Sequence, residues 1–338
     1  MHLAQRNDLL GEKVRHIRVN GKMTVDELIA QFKGSGSFGA GRLSQACDIY
    51  ERMVRDKKCT IFLALAGAMV PAGMRSLIAD LIREKLIDVV VSTGANMVHD
   101  SLEALGGNHY KGHWLMNDHV LYQYHVYRIY DVLVPEEAFI KLDCGLVKIY
   151  DEIADENKGK TLSSSMFTSE LGKRLNDPNS ILRAAYETKT PIFLPAVRDS
   201  EFGYAYYLHA SRRNFQNTLV VDAFKDVPEI IGICRRSSRN GMIVIGGGVP
   251  RNTIQSAALA TKSGLDYAVV ITMDRAETGG LSGSTLEETV SWGKLKGTAG
   301  QVMVIGDAMI VFPIMVASVM ERIGKAFKRR DRLDERKN

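Results

Sequence analysis

The feature that most restricts this chain is a series of short, almost wholly apolar runs separated by stretches of helical period. The runs are "CTIFLAL" (59–65), "DVVVS" (88–92), "PIFLPAV" (191–197), "NTLVVDAF" (217–224), "MIVIGGG" (242–248), "YAVVIT" (267–272) and "QVMVIGD" (301–307). None shows the in–out alternation of a half-exposed strand. Strands apolar on both sides belong to a parallel sheet covered on both faces. The stretches between them are amphipathic. "RLSQACDIYERMVRDKK" puts Leu43, Ala46, Cys47, Tyr50, Met53 and Val54 on one helical face, and "MRSLIADLIREK" does the same with Met74, Leu77, Ile78, Leu81 and Ile82. The pattern predicts a doubly wound α/β fold with a mainly parallel, Rossmann-like sheet.

Composition narrows the function classes. With 338 residues, 45% hydrophobic and 25% charged, the chain has ordinary globular composition and length for a large core. The net charge of +5 is concentrated in "KAFKRRDRLDERKN" (325–338), read as a solvated basic tail. No run interleaves basic and aromatic residues, so a nucleic-acid partner is not expected. Cys47, Cys59, Cys144 and Cys234 form no C-x-x-C and read as reduced core thiols rather than a disulfide frame or zinc site. The N-terminus lacks the apolar stretch of a signal peptide. Ala308–Met320 falls short of the roughly 20 residues a membrane span needs and contains Pro313. A cytoplasmic protein that avoids membranes is expected. Residues 1–33 read as an N-terminal helical extension, 34–324 as one α/β domain, and 106–160, rich in His, Tyr, Asn and Asp, as an irregular insertion over one sheet edge.

Small residues gather where strands end: "ALAGAMVPAG" (64–73), "VSTGAN" (91–96), "PAVRDSEFG" (195–203), "IGGGVPRN" (245–252) and "VIGDA" (304–308). One such turn is only a turn, but five along one sheet edge suit a ligand of dinucleotide size. "GSGSFG" (34–39) satisfies G-x-G-x-x-G but follows "TVDELIAQFK", a helix that Thr24 and Glu27 would cap, rather than a strand. It reads as a flexible connector. His109, His113, His119 and His125 lack the spacing and context of a metal set, so polar contacts within the insertion are expected and no metal site is assigned.

"ETVSWGKLK" (288–296) raises a different question, since it sets a lysine directly after Trp292 and Gly293. On this stretch alone, a buried tryptophan at a turn followed by a solvated lysine is the plainer reading. A lysine meant to act as a nucleophile needs partial desolvation, because burial disfavours its charged form.

Together with "GGGVP", "DYAVVIT", "GGLSG" and "GDAMIVFP" in this order, "SWGK" makes the chain resemble the deoxyhypusine synthase family from about Gly34 to Glu321. The resemblance implies an NAD-dependent aminoalkyl transferase, a homotetramer with active sites between subunits. In that family the SWGK lysine, matched by Lys294, carries the aminobutyl group of spermidine as an imine. NAD takes a hydride and later returns it, so the cycle has no net redox change, and the site must be shielded from water by a wall that includes Trp292.

Carried over by position, the resemblance implies cofactor contacts at Gly67, Ala68, Met69, Val70, Pro71, Thr93, Gly94, Ala95, His99, Asp199, Gly247, Met273, Asp274, Asp307 and Ala308. It implies polyamine contacts at Glu288, Ser291, Trp292 and Gly293. Departures accompany the match. The eukaryotic enzymes' paired glutamates become Val98 and His99, acidic polyamine positions become Tyr204 and Leu281, and a substrate-contacting histidine becomes Asn252. A clamp short of carboxylates implies a changed donor or acceptor, with Glu201 and Glu287 available to compensate. The resulting expectation is transfer from spermidine or a related amine to a small free diamine, as in homospermidine formation. Deoxyhypusine synthase proper, modifying a lysine of translation factor 5A, is the alternative, and a non-catalytic NAD-binding homologue the second.

Overall fold

A computed structural model describes residues 11–261, 264–324 and 326–329. Among the described residues nine strands follow in chain order: β1 (Cys59–Leu65), β2 (Val89–Ser92), β3 (Tyr110–Lys111), β4 (Val126–Ile129), β5 (Val132–Pro135), β6 (Ile192–Phe193), β7 (Arg239–Ile245), β8 (Leu265–Thr272) and β9 (Leu295–Ile305). Six of them form one sheet in the order β6-β2-β1-β7-β8-β9, every neighbouring pair parallel. This is the doubly wound order, in which the chain leaves β1 toward one edge and returns at β7 to build toward the other. β1 and β2 are buried along their whole length, as strands covered on both faces must be. The helical faces proposed from periodicity are the buried ones, with Ala46, Cys47, Tyr50, Met53, Ile78 and Ile82 fully enclosed.

Several expectations are corrected. "NTLVVDAF" adds no strand to the main sheet and contributes only an isolated bridge between Val221 and Leu162, and "PIFLPAV" shrinks to two strand residues. The 106–160 stretch is ordered secondary structure for much of its length. β3, β5 and β4 make a small antiparallel sheet, and Glu136–Glu156 is a 21-residue helix. "GSGSFG" is a tight corner rather than a connector. Thr24 and Glu27 do form a capping box on the helix Val25–Ser35, which ends at Gly36 in the left-handed conformation, and the next helix starts at Phe38. The helix Ala308–Ile323 runs through Pro313, and among the described residues no helix is long and apolar enough to cross a membrane. Cys144 is exposed, whereas burial pushes the Cys47 thiol up to about 11 and the Cys234 thiol to about 12.

The basic tail is corrected where it is described. Lys325 and residues 330–338 lie outside the described residues, but Phe327 packs on the core and Arg329 is buried. The Arg329 guanidinium donates to Asp88 at 2.8 Å and to the Cys59 carbonyl at 2.6 Å, beneath the start of β1. Removing the guanidinium takes from buried Asp88 a charged partner and from the Cys59 carbonyl a donor. Arg329→Ala is therefore expected to cost about 3–5 kcal/mol, read from the urea midpoint. An unchanged midpoint would mean that the tail is solvated after all.

Candidate active site

The crevice of a doubly wound sheet opens at the carboxyl ends of the strands where the winding reverses, here between β1 and β7. A cleft of about 380 Å³ lies there. Ala66 and Gly67 from the end of β1 line it, with Thr93 and Gly94 beyond β2 and Pro195, Ala196 and Asp199 beyond β6. Gly246 to Pro250 beyond β7 and Ser282 complete the wall. Four strand exits singled out by their small residues therefore meet in one place. Met273 and Asp274 follow β8, and Asp307 and Ala308 follow β9, on the same edge but outside this lining. Asp307 caps its helix through the Met309 N–H at 2.8 Å.

The cleft suits an anionic ligand approached by backbone. Helices Gly94–Ala104 and Gly248–Leu259 both begin at its wall and present free N–H groups there. Gly248 has φ 62°, and no atom stands within 4 Å of where its Cβ would be, so a side chain there would project into free space at the wall. At Gly94 and Gly247 a Cβ would instead overlap Ser200 and Ser282, which lets the loops close on one another.

Asn96, passed over in the sequence, ties two of these loops together. It is 1% exposed. Its amide donates to the Gly67 carbonyl at 2.9 Å and to Thr93 Oγ1 at 3.1 Å, and its carbonyl accepts from the Val70 N–H at 3.1 Å. The rest of the first loop turns away from the cleft. Met69 packs on the core, and Val70 and Pro71 are buried in the turn that follows. Ala95 is exposed on the first turn of its helix, and His99 is half-buried one turn further along.

Lys294 does not line the cleft. It precedes β9 at the amino end of the sheet, where its carbonyl accepts from the N–H of Leu265, the first residue of β8. Its Nζ donates to Asn252 Oδ1 at 3.1 Å and stands 5.3 Å from the Trp292 ring centroid. Trp292 is 64% exposed, so within one chain it is not the expected wall against water. Gly293 needs its hydrogen side chain, since it makes the turn at φ 69°. Glu288 is exposed on the short helix Leu286–Ser291, where Ser291 Oγ donates to its carbonyl.

A second residue missed in the sequence holds this segment in place. Arg251 is fully buried and donates to the Leu281 carbonyl at 2.9 Å, the Ser284 carbonyl at 3.1 Å and Thr289 Oγ1 at 3.2 Å. Among the described residues no carboxylate bonds it, and burial lowers its affinity for the proton. Leu281 thus contributes its backbone. Val98 is 3% exposed within the core, and Tyr204 is exposed and stacked near Tyr207. Glu201 faces Asp143, whose carboxyl is pushed up to about 6 by burial and by that neighbour. Glu287 is exposed. His109 and His125 make the polar contacts expected of the insertion, with Glu103 at 2.6 Å and Glu136 at 2.8 Å.

Strand order and crevice define a Rossmann-type α/β chain with a glycine-lined site at the switch point. The model of the family described as deoxyhypusine synthase matches residues 27–319. A relative from Methanosarcina mazei named "Probable deoxyhypusine synthase 1" is 46% identical over 316 residues, covering 94% of this chain and 97% of its own. "Probable deoxyhypusine synthase 2" of Archaeoglobus fulgidus is 43% identical over 286 residues, 82% of this chain and 92% of its own. The crystal structure of an Entamoeba histolytica protein described as a deoxyhypusine synthase superposes with TM-score 0.65. It covers 94% of this chain and 99% of its own at 20% identity, a likeness of fold. The chain belongs to the deoxyhypusine synthase family, and is a transferase by that membership.

Asn96→Ala removes three hydrogen bonds at a buried position. A loss of about 1–3 kcal/mol is expected from the carbonyl and N–H left unpaired, measured by chemical denaturation. Ser291→Ala, at an exposed position, is the control expected to stay within about 0.5 kcal/mol.

Proposed function

We propose that this protein is an NAD-dependent aminobutyl transferase that carries the group on Lys294 and delivers it to a lysine of a protein acceptor, translation factor 5A. The observation that carries the reading is the setting of Lys294. Its amine is bonded to a neutral amide and, among the described residues, to no carboxylate, so no ion pair has to be broken before the nitrogen attacks an imine carbon. The names of the relatives favour a protein lysine over a free diamine. The case for the diamine rested on a pocket made less acidic by Val98, Tyr204 and Leu281. Val98 is buried in the core, so that position does not bear on the charge of a pocket wall.

The cleft's residues fit NAD: Gly67 and Gly248 would allow close approach, the N-termini of the helices Gly94–Ala104 and Gly248–Leu259 would receive its phosphates, and Asp199 lines the same wall. When bound, it supplies a hydride acceptor and, later in the cycle, the hydride donor. Thr93 and Asn96 keep the two loops in register. Asn252 holds the Lys294 amine, and the Trp292 face receives the alkyl chain and its ammonium.

The cleft opens at the carboxyl end of the sheet, and Lys294 lies outside its lining on a segment at the amino end. This supports a homo-oligomer, a tetramer, in which the lysine of one copy serves the cleft of another and the contact covers Trp292. Water exclusion around the imine comes from that contact.

Saturating NAD is expected to stabilise the fold, by about 2.7 kcal/mol at one hundred times its Kd, read as a rise in Tm. Lys294→Arg should bind NAD normally and transfer nothing, because guanidinium stays protonated and forms no imine. Labelled spermidine supplied with both putrescine and purified factor 5A should label the protein lysine. Label found only in a free triamine would return the diamine reading.

A further inference from the structure

The loop between β6 and the helix Glu201–Arg212 divides its residues between two cavities. Pro195, Ala196 and Asp199 line the cleft already described, whereas Val197 and Arg198 line a second space of about 520 Å³ that the proposed chemistry leaves unused. Much of its remaining wall is aromatic and comes from three helices. Tyr150 meets Phe167, and Phe167 meets Phe202, edge to face with ring centroids 5.6 Å apart in both pairs, and none of the three is more than 2% exposed. The Tyr150 hydroxyl donates to the Phe202 carbonyl at 3.3 Å, so it is already engaged. No carboxylate lines the cavity, and its one charged side chain is Arg198. That guanidinium is exposed, and among the described residues it meets no hydrogen-bond or ion-pair partner. Tyr206 and Val220 also line the cavity and are exposed. The space therefore has a dry aromatic floor and a mouth that carries one free cation.

We infer that this cavity is a second binding site, for a small arylalkyl carboxylate, and that filling it favours cofactor binding in the cleft. Its volume lies in the range of small-molecule sites. An apolar body leaves water for the aromatic floor, and a carboxylate takes paired N–H donors from the free guanidinium. An amine finds the reverse, since its ammonium would meet a like charge and no acid. The coupling follows from the shared loop, which is packed too closely to give on one side alone. Toward the second cavity, a Cβ on Gly203 would overlap the Arg198 carbonyl. Toward the cleft, a Cβ on Gly94 would overlap Ser200, whose hydroxyl donates to the Val197 carbonyl at 2.8 Å. A ligand that holds Val197 and Arg198 thus holds Asp199, the next residue, on the cleft wall. By linkage the two ligands raise each other's affinity by the same factor. The coupling, unlike the site, rests on the reading above that the cleft takes NAD.

Calorimetric titration of the full-length protein without NAD tests the site. 4-Phenylbutyrate should bind once per chain, and 4-phenylbutylamine, the same body with the opposite charge, should not bind. Arg198→Gln, at an exposed position, should weaken phenylbutyrate at least about tenfold and leave the affinity for NAD alone unchanged. Val220→Trp, which fills the cavity without altering its charge, should also abolish phenylbutyrate binding. With saturating phenylbutyrate the Kd for NAD should fall about fivefold, a response that Arg198→Gln loses. Absence of phenylbutyrate binding, equal binding of the amine, or an Arg198→Gln affinity within about twofold of wild type would overturn the site. An NAD affinity that phenylbutyrate leaves unmoved would overturn the coupling. A wild-type protein that binds no NAD, with or without phenylbutyrate, counts against the functional reading itself, and the titration without NAD then still judges the site.

Discussion

Six strands running the same way place every strand exit on one edge of the sheet, and the rest of the molecule is built on that constraint. Because β1 and β7 are neighbours while the chain winds outward from them in opposite directions, their connections diverge and leave a crevice. The small residues at the exits are of use only because this order brings them together. Gly67, Gly94, Gly247 and Gly248 are 27 or more residues apart in sequence except for the last two, yet they share one cleft.

Irregular loops at a sheet edge carry unpaired backbone groups, and this chain satisfies them with a few buried polar side chains. Asn96 binds the exit of β1 to that of β2. Arg251 binds the segment 281–289 to the helix that starts at the third wall of the cleft. Arg329 does a similar job at the opposite end, joining the chain's last described residue to the start of β1. Each is a polar residue whose partners are mostly backbone atoms far away in sequence. No local pattern announces such a role, and for that reason these residues escaped attention while the glycines did not.

The familiar motifs were uneven guides. "SWGK" pointed to the family the chain belongs to, but the motif alone says nothing of where its lysine lies relative to the cleft. The positions where acidic residues are replaced sit in different settings within one chain. Val98 fills core, Leu281 offers a carbonyl, and His99 ends a carboxylate–imidazole chain. A position in an alignment identifies which residue is present, whereas the direction of its side chain depends on helix phase and on neighbours from other elements.

By itself the sequence determined the period of each element, hence the buried faces of its helices, the parallel character of its sheet and the capping box at Thr24 and Glu27. These depend on residues a few positions apart, whose chemistry acts along the chain. Only the tertiary structure decided that "NTLVVDAF" stays out of the main sheet, that Arg329 is interred against Asp88, and that Lys294 stands outside the lining of its own chain's cleft while its amine reaches Asn252 on a helix that begins there. An apolar run becomes a strand only if a neighbour offers a free edge, and a charge is buried only if a distant carboxylate waits for it. Those conditions are set by elements more than a hundred residues away, which no window on the sequence can see.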